Sequence, residues 1–171
     1  MNLELMALRW LRWEKKCPMA FCERSPVYGN GEPDVLGITA ARYRIEIEIK
    51  RSLSDFRADF KKSHRINRKF NLEVHPRQFY YLTPHELVPK IKPLLPSWAG
   101  LMQGPTDNYY AIQVVIQAPI NDASERLTIR ECSRMVKMVN NHAMSVMECY
   151  EKAFNRFKDG HWQWQQEDYE I

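Results

Sequence analysis

Asp34, Glu48 and Lys50 are the residues of this chain whose types and spacing best suit chemistry. From Arg42 to Lys50 the run Arg-Tyr-Arg-Ile-Glu-Ile-Glu-Ile-Lys alternates charged with apolar residues at every step. Strict period-two alternation rich in β-branched residues predicts a strand with one buried face. Glu48 and Lys50 then project the same way, two residues apart. Pro33-Asp34 opens a short apolar run, Val35 to Ile38, which reads as the neighbouring strand, with Thr39-Ala40-Ala41 as the turn between them. Such a hairpin sets the Asp34 carboxylate beside that of Glu48. Two carboxylates and an ammonium in one place suit a hard divalent cation and a water molecule. Each residue also has a plainer reading. An aspartate after proline is a common turn residue, and Glu48 with Lys50 could form a solvated ladder on an exposed sheet face.

Pro33-Asp34, followed by Glu48-Ile49-Lys50 fourteen residues after the aspartate, resembles the signature of the PD-(D/E)xK nucleases, the restriction-endonuclease-like superfamily. The text that follows, Arg51-Ser52-Leu53-Ser54-Asp55-Phe56-Arg57-Ala58-Asp59, is similar to a bacterial DNA-repair branch of that superfamily. The archaeal Holliday-junction resolvases are more distant cousins. The resemblance covers roughly the first hundred residues. It implies an α/β fold with a restriction-endonuclease-like αβββαβ core, here carrying a long C-terminal helix. It implies a metal-dependent deoxyribonuclease acting in repair, recombination or phage DNA processing. By the same resemblance Asp34, Glu48 and the backbone carbonyl of Ile49 hold Mg²⁺ or Mn²⁺, and Lys50 orients or helps deprotonate a water and offsets charge in the transition state. Flanked by two carboxylates, that ammonium suits the electrostatic role better than the role of free base. Members of the superfamily often add an acid from the first helix, and here Glu4, Glu14 and Glu23 compete. Glu4 lies early in the first helix, as in the resolvases. Glu14, beside Lys15 and Lys16, reads as a surface ion pair. Glu23 ends the first strand shortly before the hairpin, as in the repair branch, and is preferred as a metal ligand. The reading from a different class is a nucleic-acid-binding or assembly module that keeps this fold without turnover.

Beyond Lys50, Arg57, Lys61, Lys62, Arg65, Arg68 and Lys69 crowd one segment, with Phe60, Ile66 and Phe70 among them. This pattern predicts an amphipathic helix whose cationic outer face meets DNA phosphates, against the plainer reading of a solvated basic face. Ser52 stands where a helix N-terminus could receive a phosphate. Glu46 shares the face of Glu48 but lacks a lysine two residues on, so it reads as a supporting or surface carboxylate, with Arg44 as its partner.

The elements that must position these residues follow from pattern. Residues 3 to 15 read as an amphipathic helix and Met19 to Glu23 as a short strand. Ser52 with Asp55 predicts a capping box opening a helix from Leu53 to about Ser63. Arg77 to Leu82 reads as a strand, Pro84 to Lys92 as a short helix, and Trp98 to Met102 and Tyr109 to Gln117 as further strands. About Ser124 to Phe157 is the clearest helix, with apolar residues stepping by three and four and no glycine or proline. Its length leaves room for a homodimer contact. The tail, His161-Trp162-Gln163-Trp164, reads as a surface segment docking its tryptophans. A length of 171 residues suits one domain, 1–117 forming the core and 118–171 a helical extension. A net charge of +4 and a pI near 8.9 lean mildly basic, compatible with DNA as partner. The four cysteines form no CxxC pair and read as buried, reduced thiols in a cytoplasmic protein. No apolar run approaches the length of a membrane span, and the first residues do not read as a signal peptide.

Overall fold

The computed structural model describes residues 2–22, 33–61, 75–106 and 111–158, the side chains of 142, 143, 145, 146, 150 and 153–158 excepted. Asn2 opens helix α1 (Leu3–Arg9), its side chain accepting a hydrogen bond from the Leu5 amide at 2.8 Å. The next five residues, Trp10–Glu14, widen into a π-helical turn, so the amphipathic segment is helical throughout but changes pitch. Strands β1 (Met19–Cys22), β2 (Val35–Ile38) and β3 (Arg44–Ile49) form an antiparallel meander. Helix α2 (Leu53–Asp59) then precedes β4 (Gln78–Thr83), which lies parallel to β3. A short helical stretch centred on α3 (Val88–Ile91) leads to β5 (Gly100–Gln103), parallel to β4, and β6 (Gln113–Ile116) closes the sheet antiparallel. The six strands lie in chain order, β1-β2-β3-β4-β5-β6. The fold is α/β, with a mixed sheet and helices packed on it.

Strand β4 explains where the core sits. Its Phe79, Tyr80, Tyr81 and Leu82 are all buried, as expected for a parallel strand covered on both faces. Tyr80 and Leu82 join Ile45, Ile47, Ile49 and Met102 beneath Leu3, Ala7, Trp10 and Leu11. On the opposite face, Phe79 and Tyr81 join Leu101 beneath Phe56 of α2 and Val88 and Ile91 of α3. Gly100 allows the sheet to close here. A Cβ at that position would lie 2.5 Å from Tyr80 Cδ1 and 2.6 Å from the Ala118 backbone nitrogen.

The β2–β3 turn is a three-residue loop, Ala40-Ala41-Arg42. The Arg42 amide donates to the Thr39 carbonyl at 2.8 Å, and Arg42 itself sits in the left-handed region at φ 65°. That conformation is held from outside the hairpin. The Arg42 guanidinium donates to the Leu127 carbonyl at 3.0 Å, and the Leu127 amide donates to the Arg42 carbonyl at 2.9 Å.

Several sequence expectations need correction. Strand β3 is buried on both faces, not one: Arg44, Glu46, Glu48 and Lys50 are all buried. The alternation was real, but α2 covers the charged side. The long helix, α4 (Ile129–Lys158), starts about five residues later than the expected bound near Ser124. Ser124 Oγ instead donates to the His75 carbonyl, and Thr128 with Glu131 makes a reciprocal capping box that fixes the helix start. Of the cysteines only Cys17 is buried; Cys22 and Cys132 are partly covered and Cys149 is exposed. The chain divides into two compact units, Met1–Arg134 and Met135–Ile171, with the boundary inside α4. The 161–164 tail and the basic segment beyond residue 61 lie outside the described residues. Among the described residues, no helix is long and apolar enough to cross a membrane.

Candidate active site

The C-terminal end of β3 carries the site, and its two neighbours complete it. In the β2–β3 register Val35 faces Ile47, which sets Asp34, one residue earlier, across from Glu48. On the other side Glu48 is in register with Tyr81 of β4. Asp34 is half-buried, and its Oδ2 accepts a hydrogen bond from the Ile49 amide at 2.6 Å. The carboxylate thus ties the start of β2 to the end of β3 with a charge-assisted bond.

Lys50 is the centre of the arrangement. Its ammonium donates to Glu48 Oε1 at 3.0 Å and to Asp59 Oδ1 at 3.1 Å, and lies 3.8 Å from Asp55 Oδ1. Glu48 and Lys50 are each only 3% exposed and Asp59 is fully buried. The other oxygen of Asp59 accepts from the Tyr81 hydroxyl at 2.8 Å. The Lys50 backbone is fixed as well, its amide donating to the Leu82 carbonyl at 2.9 Å. Helix α2 supplies both added acids because Asp55 and Asp59, four residues apart, lie on one helical face. Ser52 sets that helix by accepting from the Asp55 amide at 3.1 Å, and Phe56 clamps it. The Phe56 ring packs edge-on against Phe60 and Tyr81, with centroids 5.0 and 4.9 Å away.

A buried ion pair is held only when its partners are well satisfied, because leaving water costs each charge several kcal/mol, on the order of the attraction gained. Among the described residues one ammonium faces three carboxylates, with a fourth, Asp34, across the strand from Glu48. Among the described residues, no three His, Cys, Asp or Glu side chains are grouped as ligands of one ion. The donors at hand are the Asp34 and Glu48 carboxylates and the Ile49 carbonyl. These are hard oxygens in the small number that a largely hydrated Mg²⁺ asks of a protein, so the residues fit such an ion.

Of the two competing acids among the described residues, Glu4 comes nearer this chemistry than Glu14. The Oε1 of Glu4 meets Arg51, the residue after Lys50, at 2.6 Å. Burial pushes its carboxyl up, but its own backbone amide and the hydrogen bond and charge of Arg51 hold it below the usual range. Glu14 is exposed, and Glu23 lies outside the described residues. Glu46 is buried on the Glu48 face, so it is not a surface carboxylate, and Arg44 donates to the His75 carbonyl. Among the residues expected to meet DNA, Arg57 and Lys61 are exposed on and just after α2, and Ser52 is its half-buried cap, with Ser54 Oγ 2.9 Å away. Lys62, Arg65, Arg68 and Lys69 lie outside the described residues.

Asp59, Asp55 and Tyr81 are the site residues that motif reading missed. Their signals were present: two aspartates at helical spacing just past the lysine, and a tyrosine on the inward face of the next strand.

No protein-family model matches this chain, and no curated protein sequence is significantly similar to it. The fold is similar to that of SPO1766, a protein of unknown function from Silicibacter pomeroyi, at 20% sequence identity and a TM-score of 0.54. The match covers 93% of this chain and 90% of that one. This likeness speaks to the fold alone.

Proposed function

We propose that this chain is a metal-dependent deoxyribonuclease of the PD-(D/E)xK type, built on a restriction-endonuclease-like core and acting on cytoplasmic DNA in repair, recombination or phage DNA processing. The observation that carries the reading is the meeting of Asp34, Glu48 and Lys50 at one end of adjacent strands. The order α1-β1-β2-β3-α2-β4, with β3 and β4 parallel, supports the core.

Asp34, Glu48 and the Ile49 carbonyl hold Mg²⁺ or Mn²⁺ in this reading. When bound, the ion supplies Lewis-acid polarisation of the phosphodiester and a more acidic water. A phosphodiester needs such help because its own charge repels a nucleophile. Lys50 holds a positive charge beside the reacting phosphate, where it offsets charge growing in the transition state. Glu48 and Asp59 keep its ammonium in place, and Tyr81 keeps Asp59 in place. Arg57 and Lys61, followed in sequence by Lys62, Arg65, Arg68 and Lys69, draw the DNA backbone toward α2.

The metal half of the proposal is tested by thermal unfolding. Divalent cation should raise the midpoint of the wild-type protein, because an ion that binds only the folded state stabilises it. The near-isosteric changes Asp34→Asn and Glu48→Gln should each reduce that rise. If both variants keep the full rise, these residues do not hold the ion.

A further inference from the structure

The other helices among the described residues are short: α1 spans 7 residues, α2 spans 7 and α3 spans 4, whereas α4 spans 30. From Ile129 to Phe157 an uncharged residue recurs in α4 at alternating intervals of three and four. It falls at Ile129, Cys132, Val136 and Val139, then at 143, 146, 150, 153 and 157. This is a seven-residue repeat sustained for four turns of the pattern, and a period of 3.5 rather than 3.6 is what a supercoiled partner helix requires. Among the described side chains the seam is open to solvent at Ile129, Val136 and Val139, while Cys132 is partly covered and Met135 beside it is buried. Ile129 is 73% exposed. Met147, on the flank of the same stripe, is 71% exposed.

Charge is sorted in the same way. With Ile129 taken as the first position of the repeat, every charged residue of α4 except Arg156 falls at the three outer positions. Arg130, Arg134, Lys137, Glu148 and Lys152 are among them, and all five are exposed. A second copy laid along the seam therefore meets almost no like charge on its flanks. Among the described residues no other helix is long enough to cover the seam.

We infer that α4 is the interface of a homodimer, in which the seam of one chain packs against the same seam of a second copy as a two-stranded coiled coil. Such an interface is isologous and closes on itself, leaving a discrete dimer rather than a filament. This inference stands apart from the proposed nuclease activity, since it needs neither DNA nor metal.

Sedimentation equilibrium of the full chain over a wide concentration range tests it. Wild type should sediment at twice the chain mass of 20.4 kDa, dissociating on dilution. The double substitution Val136→Glu, Val139→Glu places charges on exposed seam positions and should give the monomer mass. Lys137→Glu, on the outer face, should leave the dimer intact. Val136→Leu with Val139→Leu keeps the seam apolar and should also stay dimeric, separating loss of the seam from damage to the helix. A wild-type protein that is monomeric at every concentration overturns the inference. So does a dimer that survives the two glutamates.

Discussion

At the residue scale, Lys50 is held by Glu48 and Asp59, and Asp59 in turn by Tyr81. Asp34, Glu48 and Lys50 were legible because alternation and spacing put them on one face, whereas Asp59 and Tyr81 join Lys50 only through the packing of α2 over β4. That packing changes what a substitution at Lys50 means. Read from sequence alone, Lys50→Ala should leave the fold nearly intact. In the structure it removes a buried ion-pair partner from both Glu48 and Asp59, and breaking a buried pair from one side costs about 3–5 kcal/mol. Urea denaturation should therefore show Lys50→Ala markedly less stable than wild type, and equal midpoints would mean that these pairs do not bear on stability. Tyr81→Phe removes only the hydroxyl that holds Asp59, so it should cost about 1–3 kcal/mol for the acceptor left short of a partner. Glu4 carries a pH prediction. Its carboxyl is held low in the folded state, so its contribution to stability is present above the unfolded glutamate pKa of about 4.3. That contribution is lost as pH falls through the lower, folded value. Glu4→Gln should flatten the acid limb of the stability profile by lowering stability at neutral pH, leaving stability below the folded pKa nearly untouched. An acid limb as steep as wild type would remove Glu4 from that role.

At the scale of elements, the sequence reading succeeded where one periodicity dominates and slipped where local hydrogen bonds decide. Strand β3 and the start of α2 were plain from alternation and from Ser52. The start of α4 was misplaced because no glycine or proline interrupts the segment from Ser124 to Phe157, while the capping box with Glu131 sets the true boundary. Thr128→Ala should cost about 1 kcal/mol and fray the first turn of α4, seen as a small loss of helical signal. An unchanged stability would mean the cap adds nothing to the packing already present. Burial of both faces of β3 could not be read from its own residues, since it depends on α2 returning over the charged side. Gly100 is the corresponding point in the sheet. Gly100→Ala must push on the Ala118 backbone, which cannot turn aside as a side chain can, and should destabilise by about 1–3 kcal/mol. A neutral outcome would show that β5 can move away from that segment.

At the scale of the whole molecule, the modest net charge of +4 says little about a partner, and its distribution says more. Arg57 and Lys61 are exposed where α2 leaves the site. Neutralising Arg57, Lys61 and Lys62 together should weaken DNA binding at every sequence and flatten its dependence on salt. An unchanged salt slope would return α2 to an ordinary solvated face. The proposed activity itself is tested most directly by cleavage and DNA affinity measured side by side. Wild type and Asp34→Asn are compared on plasmid and branched DNA with Mg²⁺, Mn²⁺ or EDTA. Asp34 suits this comparison because it is half-buried, and the change to asparagine keeps its shape and an oxygen able to accept from the Ile49 amide. Wild type should cut with metal and stop with EDTA. Asp34→Asn should bind DNA as well as wild type yet cut on the order of a hundredfold or more slowly, as when one preorganised electrostatic group is lost. Equal cutting by both proteins would place the activity outside this site or in a contaminant, and no cutting of either DNA by wild type with either metal would contradict the nuclease reading and leave a DNA-binding module in its place.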